Sequence, residues 1–197
     1  MKTILCLIGK CATGKTTLEL MLSQDKRFNR IISMTTREQR SNEVNGVDYI
    51  FLNDNEFDER LAKEKVYEQT SYIVSGKTLR YALSSSSLSD DKVNIAVVNP
   101  HGFKQLYEHK DLRLIPIMIT SKHYILIERY IKRETSKEKY EKLIQRLIQD
   151  DKDFDDFYKF IKEKKINISV LTNDYDTKLE DLKNSIINIV QEKLKED

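Results

Sequence analysis

The chain has 197 residues, 39% of them hydrophobic and 34% charged, which suits one buried core of ordinary domain size and excludes a disordered polar chain. Lys plus Arg number 34 against 32 for Asp plus Glu, a net charge of +2, so no bulk field draws the chain to nucleic acid or to an anionic membrane. No apolar run reaches the roughly 18 residues of a membrane span, and Cys6 and Cys11 lie too close together to frame a disulfide fold. The opening MKTILCLIG has the basic residue and apolar stretch of a weak signal peptide. It is short, has no small-residue cleavage site and runs straight into a motif, so a cytoplasmic globular protein is expected.

Thr3 to Ile8 is continuous in β-branched and aliphatic residues and predicts a short buried strand ending at Gly9. Thr16 to Leu22 has helical spacing, and Ile31 to Met34 predicts a second strand. Residues 35–88 are more polar and tyrosine-bearing; alternating pieces at Tyr49–Leu52 and Val66–Val74 predict a small sheet, with a helix near Asp54–Ala62. The serine run Ser84–Ser87 reads as a helix cap rather than a linker. Val93–Val98 is the next strand, stopped by Asn99-Pro100, and Leu112–Ile119 follows with Pro116 inside it or at its edge. Apolar residues at 140, 143, 144, 147, 148, 154, 157, 158 and 161 mark one amphipathic helix from about Lys137 to Lys164. Ile166–Leu171 closes the strands, and Leu179 to Leu194 gives a final helix. Strands alternating with helices predict an α/β fold, a parallel sheet covered on both faces.

Only five glycines occur, and two of them fall in Gly9-Lys10-Cys11-Ala12-Thr13-Gly14-Lys15-Thr16, which fits G-x-x-x-x-G-K-[ST] between a predicted strand and a predicted helix. Such a loop turns its backbone N–H groups inward around an anion, and the following helix adds its positive end. Lys15 then reaches the β/γ-phosphates, and Thr16 offers a hydroxyl to Mg²⁺, with Thr17 beside it. A nucleoside triphosphate is the expected ligand. His101, His109 and His123 have no zinc-like spacing with cysteine or acid.

The segment from Ser33 through Thr35-Thr36-Arg37 and Arg40, then Glu43, Gly46, Asp48, Tyr49 and Phe51, resembles the guanylate kinase family, whose pattern is serine, T-T-R-x-x-R and E-x-x-G-x-D-Y-x-F. The resemblance runs from Ile4 to about Leu182. It implies a P-loop-type parallel sheet with an inserted nucleoside-monophosphate-binding part and a lid: a core of 1–34, 89–128 and 147–197, an acceptor-binding part at 35–88, and a lid at about 129–146. It implies Mg²⁺-dependent transfer of the ATP γ-phosphate to GMP or dGMP. Arg37 and Arg40 would clamp the acceptor phosphate with the hydroxyls of Tyr49 and Tyr81. Glu68 would accept from guanine N1–H and its amine, and Ser33 would donate to O6. Arg129, Arg133 and Arg146 would neutralise charge on the transferred group, and Asn173 would lie near the adenine.

The chain departs from that pattern in places that bear on the base. Val97-Val98-Asn99-Pro100-His101-Gly102 stands where the family has D-x-D-x-Q-G, so both carboxylates are absent. Asn99 is expected to offer its carbonyl to an amine without adding charge. Ala82 and Leu83 replace a glycine and a serine or threonine, with Ser84 a substitute if the turn shifts by one residue. Arg133-Glu134 stands for R-G in a lid about two residues longer. Two alternatives stay open: another phosphotransferase on this scaffold, such as a ribosyl bisphosphate phosphokinase, and a binding module that holds a partner protein. The latter usually loses the P-loop lysine, which is kept here as Lys15.

Overall fold

The five residues Ile4–Ile8 are fully buried, and their period-2 alternation divides the core in two. In the computed structural model, which describes residues 1–40, 43–74, 76–133 and 137–196 (side chains of Val74 and of 133–146 excepted), they form the centre of β1 (Lys2–Ile8). Ile4, Cys6 and Ile8 pack on one face with Phe103, Leu106, Phe154 and Phe157. Leu5 and Leu7 pack on the other with Leu18, Leu22, Leu182, Ile186 and Val190. Each such side chain contributes about 1.5–3 kcal/mol by burial, so this strand anchors both layers.

Helix α1 (Lys15–Ser23) follows β1. The core sheet is completed by β2 (Phe28–Arg30), β7 (Val93–Val98), β8 (Leu112–Thr120) and β9 (Ser169–Thr172), in the order β2-β7-β1-β8-β9 with every pair parallel. Helix α3 (Pro100–Glu108) joins β7 to β8. Helices α4 (His123–Arg133) and α5 (Lys137–Glu163) precede β9, and α6 (Leu179–Lys195) ends the fold. The chain leaves β1 toward β2 and later crosses from β7 to β8, so the sheet changes direction around β1, where α/β sheets hold their ligands. No helix of the described residues is long and apolar enough to cross a membrane.

A second sheet, β4-β3-β6-β5, comprises β3 (Met34–Thr35), β4 (Ile50–Phe51), β5 (Val66–Val74) and β6 (Lys77–Ser84). Helix α2 (Asp54–Lys63) starts at a capping box between Asn53 and Glu56 and buries Phe57 against Met34 and Ala82. Hydrogen bonds with Gln105 and Asp111 pin the hairpin β5–β6 to the core. Gln105 Oε1 accepts from Gln69 N and Gln105 Nε2 donates to Gln69 O, each at 2.9 Å. Tyr67 OH donates to Asp111 at 3.0 Å.

Most predicted elements lie where the residue pattern put them. The strand expected at Ile31–Met34 does not: β2 ends at Arg30 in the core sheet and β3 begins at Met34 in the small one, so these residues cross between sheets. Asn99-Pro100 ends β7 but also starts α3, as N-cap and first helical residue. The serine run forms one 3₁₀ turn without a side-chain cap; Ser84 and Ser86 donate instead to Glu64, both at 2.5 Å. Pro116 lies inside β8 opposite Cys6, and pairing with β9 begins one residue later at Ile117.

Candidate active site

The loop between β1 and α1 needs both of its motif glycines. Gly14 has φ +94°, and a Cβ there would sit 2.5 Å from Asn173 Nδ2. A Cβ on Gly9 would run into the Ile119 carbonyl oxygen. Lys15 Nζ donates to the carbonyls of Gly9 (2.7 Å) and Lys10 (2.8 Å), curling over the loop. Thr13 Oγ1 also donates to Lys10 O, and Asn173 Nδ2 donates to Thr13 O at 2.8 Å.

Two carboxylates from α5 grip this loop. Asp150, buried, accepts from the Cys11 N–H at 2.7 Å. Asp151 pairs with Lys10, whose Nζ also lies 3.2 Å from His123 Nε2. The Cys11 amide, within the loop of phosphate-binding pattern, thus carries a carboxylate.

A cleft of about 670 Å³ joins the loop to the face of the second sheet. Its floor holds Gly9, Cys11, Ala12, Gly14, Lys15 and Thr16; its far wall holds Ser33, Tyr49, Glu68, Tyr81 and Asn99. Strand periodicity explains that wall. Glu68, Thr70 and Tyr72 alternate along β5, and Tyr81 and Leu79 lie opposite Thr70 and Tyr72 on β6, so all five share one face. The register slips between Val66 and Glu68, a bulge that lets Tyr67 enter the core while Glu68 faces the cleft. Leu83 shares that face but is buried at its base, and Ser84 is held by Glu64, so neither supplies a donor to the cleft. Val97 lines the cleft with no polar atom.

Glu68 has no hydrogen-bond partner among the described residues, and burial pushes its carboxyl up to about 7. A Cβ on Gly102, in the first turn of α3, would lie 3.1 Å from Glu68 Oε1 and 3.4 Å from Asn99 Oδ1. The two side chains are therefore neighbours. The carbonyl expected of Asn99 is engaged: it caps α3 by accepting from Gly102 N at 2.8 Å. Its Nδ2 lies 3.5 Å from Tyr72 OH.

At the other end of the wall, Arg37 is gripped by Glu43 through Nη1 (2.9 Å) and Nη2 (2.7 Å), a bidentate pair. That pair holds the Glu43 carboxyl at about 2. Arg37 also lies 5.4 Å from the ring centroids of both Tyr49 and Phe51. It is thus a fixed fork with part of its donor set already used. Arg40 is exposed; its backbone N–H donates to Glu43 Oε2 at 2.9 Å. Tyr81 packs edge-on against Tyr49 and Tyr72, both at 5.9 Å. Burial raises the Tyr49 phenol, which keeps it a donor.

Arg129 does not reach this cleft. It lines a neighbouring depression with Thr17, Lys132, Asn173 and Asp174 on the outer side of the loop. Its Nη2 lies 3.5 Å from Asn173 Oδ1, and its Nη1 is buried without a hydrogen-bond partner among the described residues. Arg133 ends α4 and Arg146 lies within α5; their side chains fall outside the described residues.

Thr70, Tyr72 and Asp150 were not anticipated. The alternation with Glu68 along β5 would have found the first two. Asp150 meets Cys11 across 139 residues and carries no local signal.

The chain matches the guanylate kinase family profile over residues 1–188. It is 40% identical over 72 residues to the guanylate kinase of Bacillus anthracis, which is 36% of this chain and 35% of that one. It is 27% identical over 146 residues to that of Mycoplasmopsis pulmonis, 70% of this chain and 74% of that one. In its local matches to the Bacillus enzymes the chain thus spans about a third of the length of those curated relatives. A guanylate kinase structure from Anaplasma phagocytophilum superposes with a TM-score of 0.65 at 18% identity, over 98% of this chain and 86% of that one, a likeness of fold. With a profile match over nearly the whole sequence, the chain belongs to the guanylate kinase family.

Proposed function

We propose that this chain transfers the γ-phosphate of ATP to GMP or dGMP, giving ADP and the nucleoside diphosphate. One observation carries the reading: the loop of phosphate-binding pattern and a half-buried carboxylate with no hydrogen-bond partner among the described residues, Glu68, open into a single cleft. A donor phosphate on the loop and an acceptor base against Glu68 would then share one enclosed space, which is what a positioning catalyst needs. A ribose bisphosphate acceptor would leave Glu68, Ser33 and Asn99 with no base to read.

In this reading, residues 35–88 hold the acceptor, about 129–146 form the lid, and the rest is core. Lys15 leaves the loop carbonyls for the β/γ-phosphates. The Thr16 hydroxyl, exposed and without a hydrogen-bond partner among the described residues, fits a Mg²⁺ that arrives with the phosphates, and that ion neutralises charge on them when bound. Arg37, Arg40, Tyr49 and Tyr81 take the acceptor phosphate, with Glu43 holding Arg37 in place. Arg129, Arg133 and Arg146 serve the transferring group from the lid; Arg129 would have to swing from its depression beside Asn173. The substrates are small molecules and the setting is cytoplasmic.

A coupled ADP-release assay with Mg²⁺-ATP and a panel of monophosphates tests this. GMP or dGMP should be the best acceptor. Faster turnover with a pyrimidine nucleotide or a ribose phosphate, or none with any acceptor by the folded protein, would overturn it.

A further inference from the structure

The hydrogen-bond polarity of the acceptor wall differs from what its sequence suggests. A backbone N–H can only donate, so the atom of Asn99 that meets Gly102 N at 2.8 Å must be the amide oxygen. The atom left for the cleft is therefore Nδ2, a donor, and it is directed toward Tyr72 OH at 3.5 Å. Tyr72 is itself positioned by edge-on packing against Tyr81. Next to this amide stands Glu68, an acceptor when ionised. Val97, near the end of β7, lines the cleft and adds no polar side-chain atom.

We propose that Asn99 reads the acceptor base as a hydrogen-bond donor, held in that orientation by its cap to Gly102 and by Tyr72, so that the cleft takes 6-oxopurine nucleoside monophosphates with or without a 2-amino group. This rests on the nucleoside monophosphate kinase reading above. A 6-oxopurine presents N1–H, which Glu68 accepts, and a substituent on the adjacent C2. Guanine has an amine at C2, and only Glu68 can receive it. Hypoxanthine has hydrogen there and loses one contact. Xanthine has a carbonyl, which the Asn99 amide donates to directly. A site with a second acceptor at this place would reject the last two bases; a donor there removes that penalty. Tyr72 acts as a positioning residue, through Asn99.

The test is steady-state kinetics of the full chain with Mg²⁺-ATP and GMP, IMP or XMP, for wild type, Asn99→Asp and Tyr72→Phe. Aspartate keeps the capping oxygen, so the helix start is preserved. Wild type should favour GMP over IMP by about tenfold to a hundredfold in kcat/KM, the scale of the one hydrogen bond to the Glu68 carboxylate that IMP loses. Asn99→Asp should raise that ratio at least tenfold, mainly through KM, and should depress XMP by repulsion between two acceptors. Tyr72→Phe should shift the ratio in KM with kcat held, which a purely structural role would not do. A ratio moved less than tenfold by Asn99→Asp, with GMP still phosphorylated, overturns this inference and leaves the kinase reading standing. No transfer to any of the three by folded wild type defeats the kinase reading itself. Should Asn99→Asp not fold, an unshifted ratio in Tyr72→Phe overturns the inference alone.

Discussion

Glu68 gives the sharpest prediction, because burial lifts its carboxyl from 4.5 to about 7, within reach of ordinary assays. Desolvation of the charged form is the cause, and no cation offsets it. The folded value lies above the unfolded one, so the native state holds a proton that the unfolded chain has released between those two pH values. Stability from this group is therefore fully present below pH 4.5, declines as pH rises, and is gone above about 7. The gap corresponds to at most about 3 kcal/mol, and to about half of that once residual solvent contact screens the charge. Glu68→Gln should match wild type near pH 4 and melt about 3–6 °C higher at pH 8. Glu19, also raised to about 7 by burial, titrates in both proteins and cancels in the comparison. Function should run the opposite way. Only the carboxylate accepts from both N1–H and the amine, so KM for GMP should rise about tenfold from pH 8 to pH 6, while KM for ATP follows no such curve. The acceptor phosphate titrates near pH 6 as well, but that component persists in Glu68→Gln, so the difference between the two profiles isolates Glu68. Profiles that superimpose, or a Gln variant no more stable at pH 8 than wild type, would refute the placement of this group.

Lys15→Ala should lower kcat at least about 10²-fold, the scale of removing one donor to developing charge, while the melting temperature stays close to that of wild type. Arg37→Ala should raise the acceptor KM strongly, and Glu43→Gln should do so more weakly by loosening the fork; Arg129→Ala should instead act on kcat, and equal effects on both constants would contradict this division. Asp150→Asn should lower KM for ATP several-fold, because the charge on the Cys11 amide competes with the incoming phosphate; a higher KM would give Asp150 a supporting role instead.

The parts of the fold that were legible in the sequence are those whose own residues carry the pattern. β1, β7 and α6 need no partner to reveal their period, and the loop motif is local by nature. What escaped depends on context. β2 has three residues and one buried side chain, too little pattern to register, while the apolar Ile31 beside it lies in the crossing and Met34 already belongs to the second sheet. Asn99-Pro100 carries a stop signal and a start signal at once, and the end of a strand already accounts for it. The cleft-facing position of Glu68 depends on the bulge before it, and the orientation of the Asn99 amide on the helix that follows; neither is a property of the residue itself.

These contacts make the loop a crowded place for a triphosphate to arrive. Lys15 bonds the carbonyls of Gly9 and Lys10, Asp150 holds the Cys11 amide, and Asp151 holds Lys10. Each is a good bond, so a nucleotide binds by exchange and gains only the difference. The exchange is not confined to the loop. Asp150 and Asp151 sit on α5, one helical turn beyond Arg146, and a helix shifts its turns together rather than singly. In the proposed kinase, a phosphate that displaces the Asp150 carboxylate would therefore act on the helix that also carries Arg146. One acidic pair on one helix thus joins the phosphate-binding loop to the helix that carries Arg146.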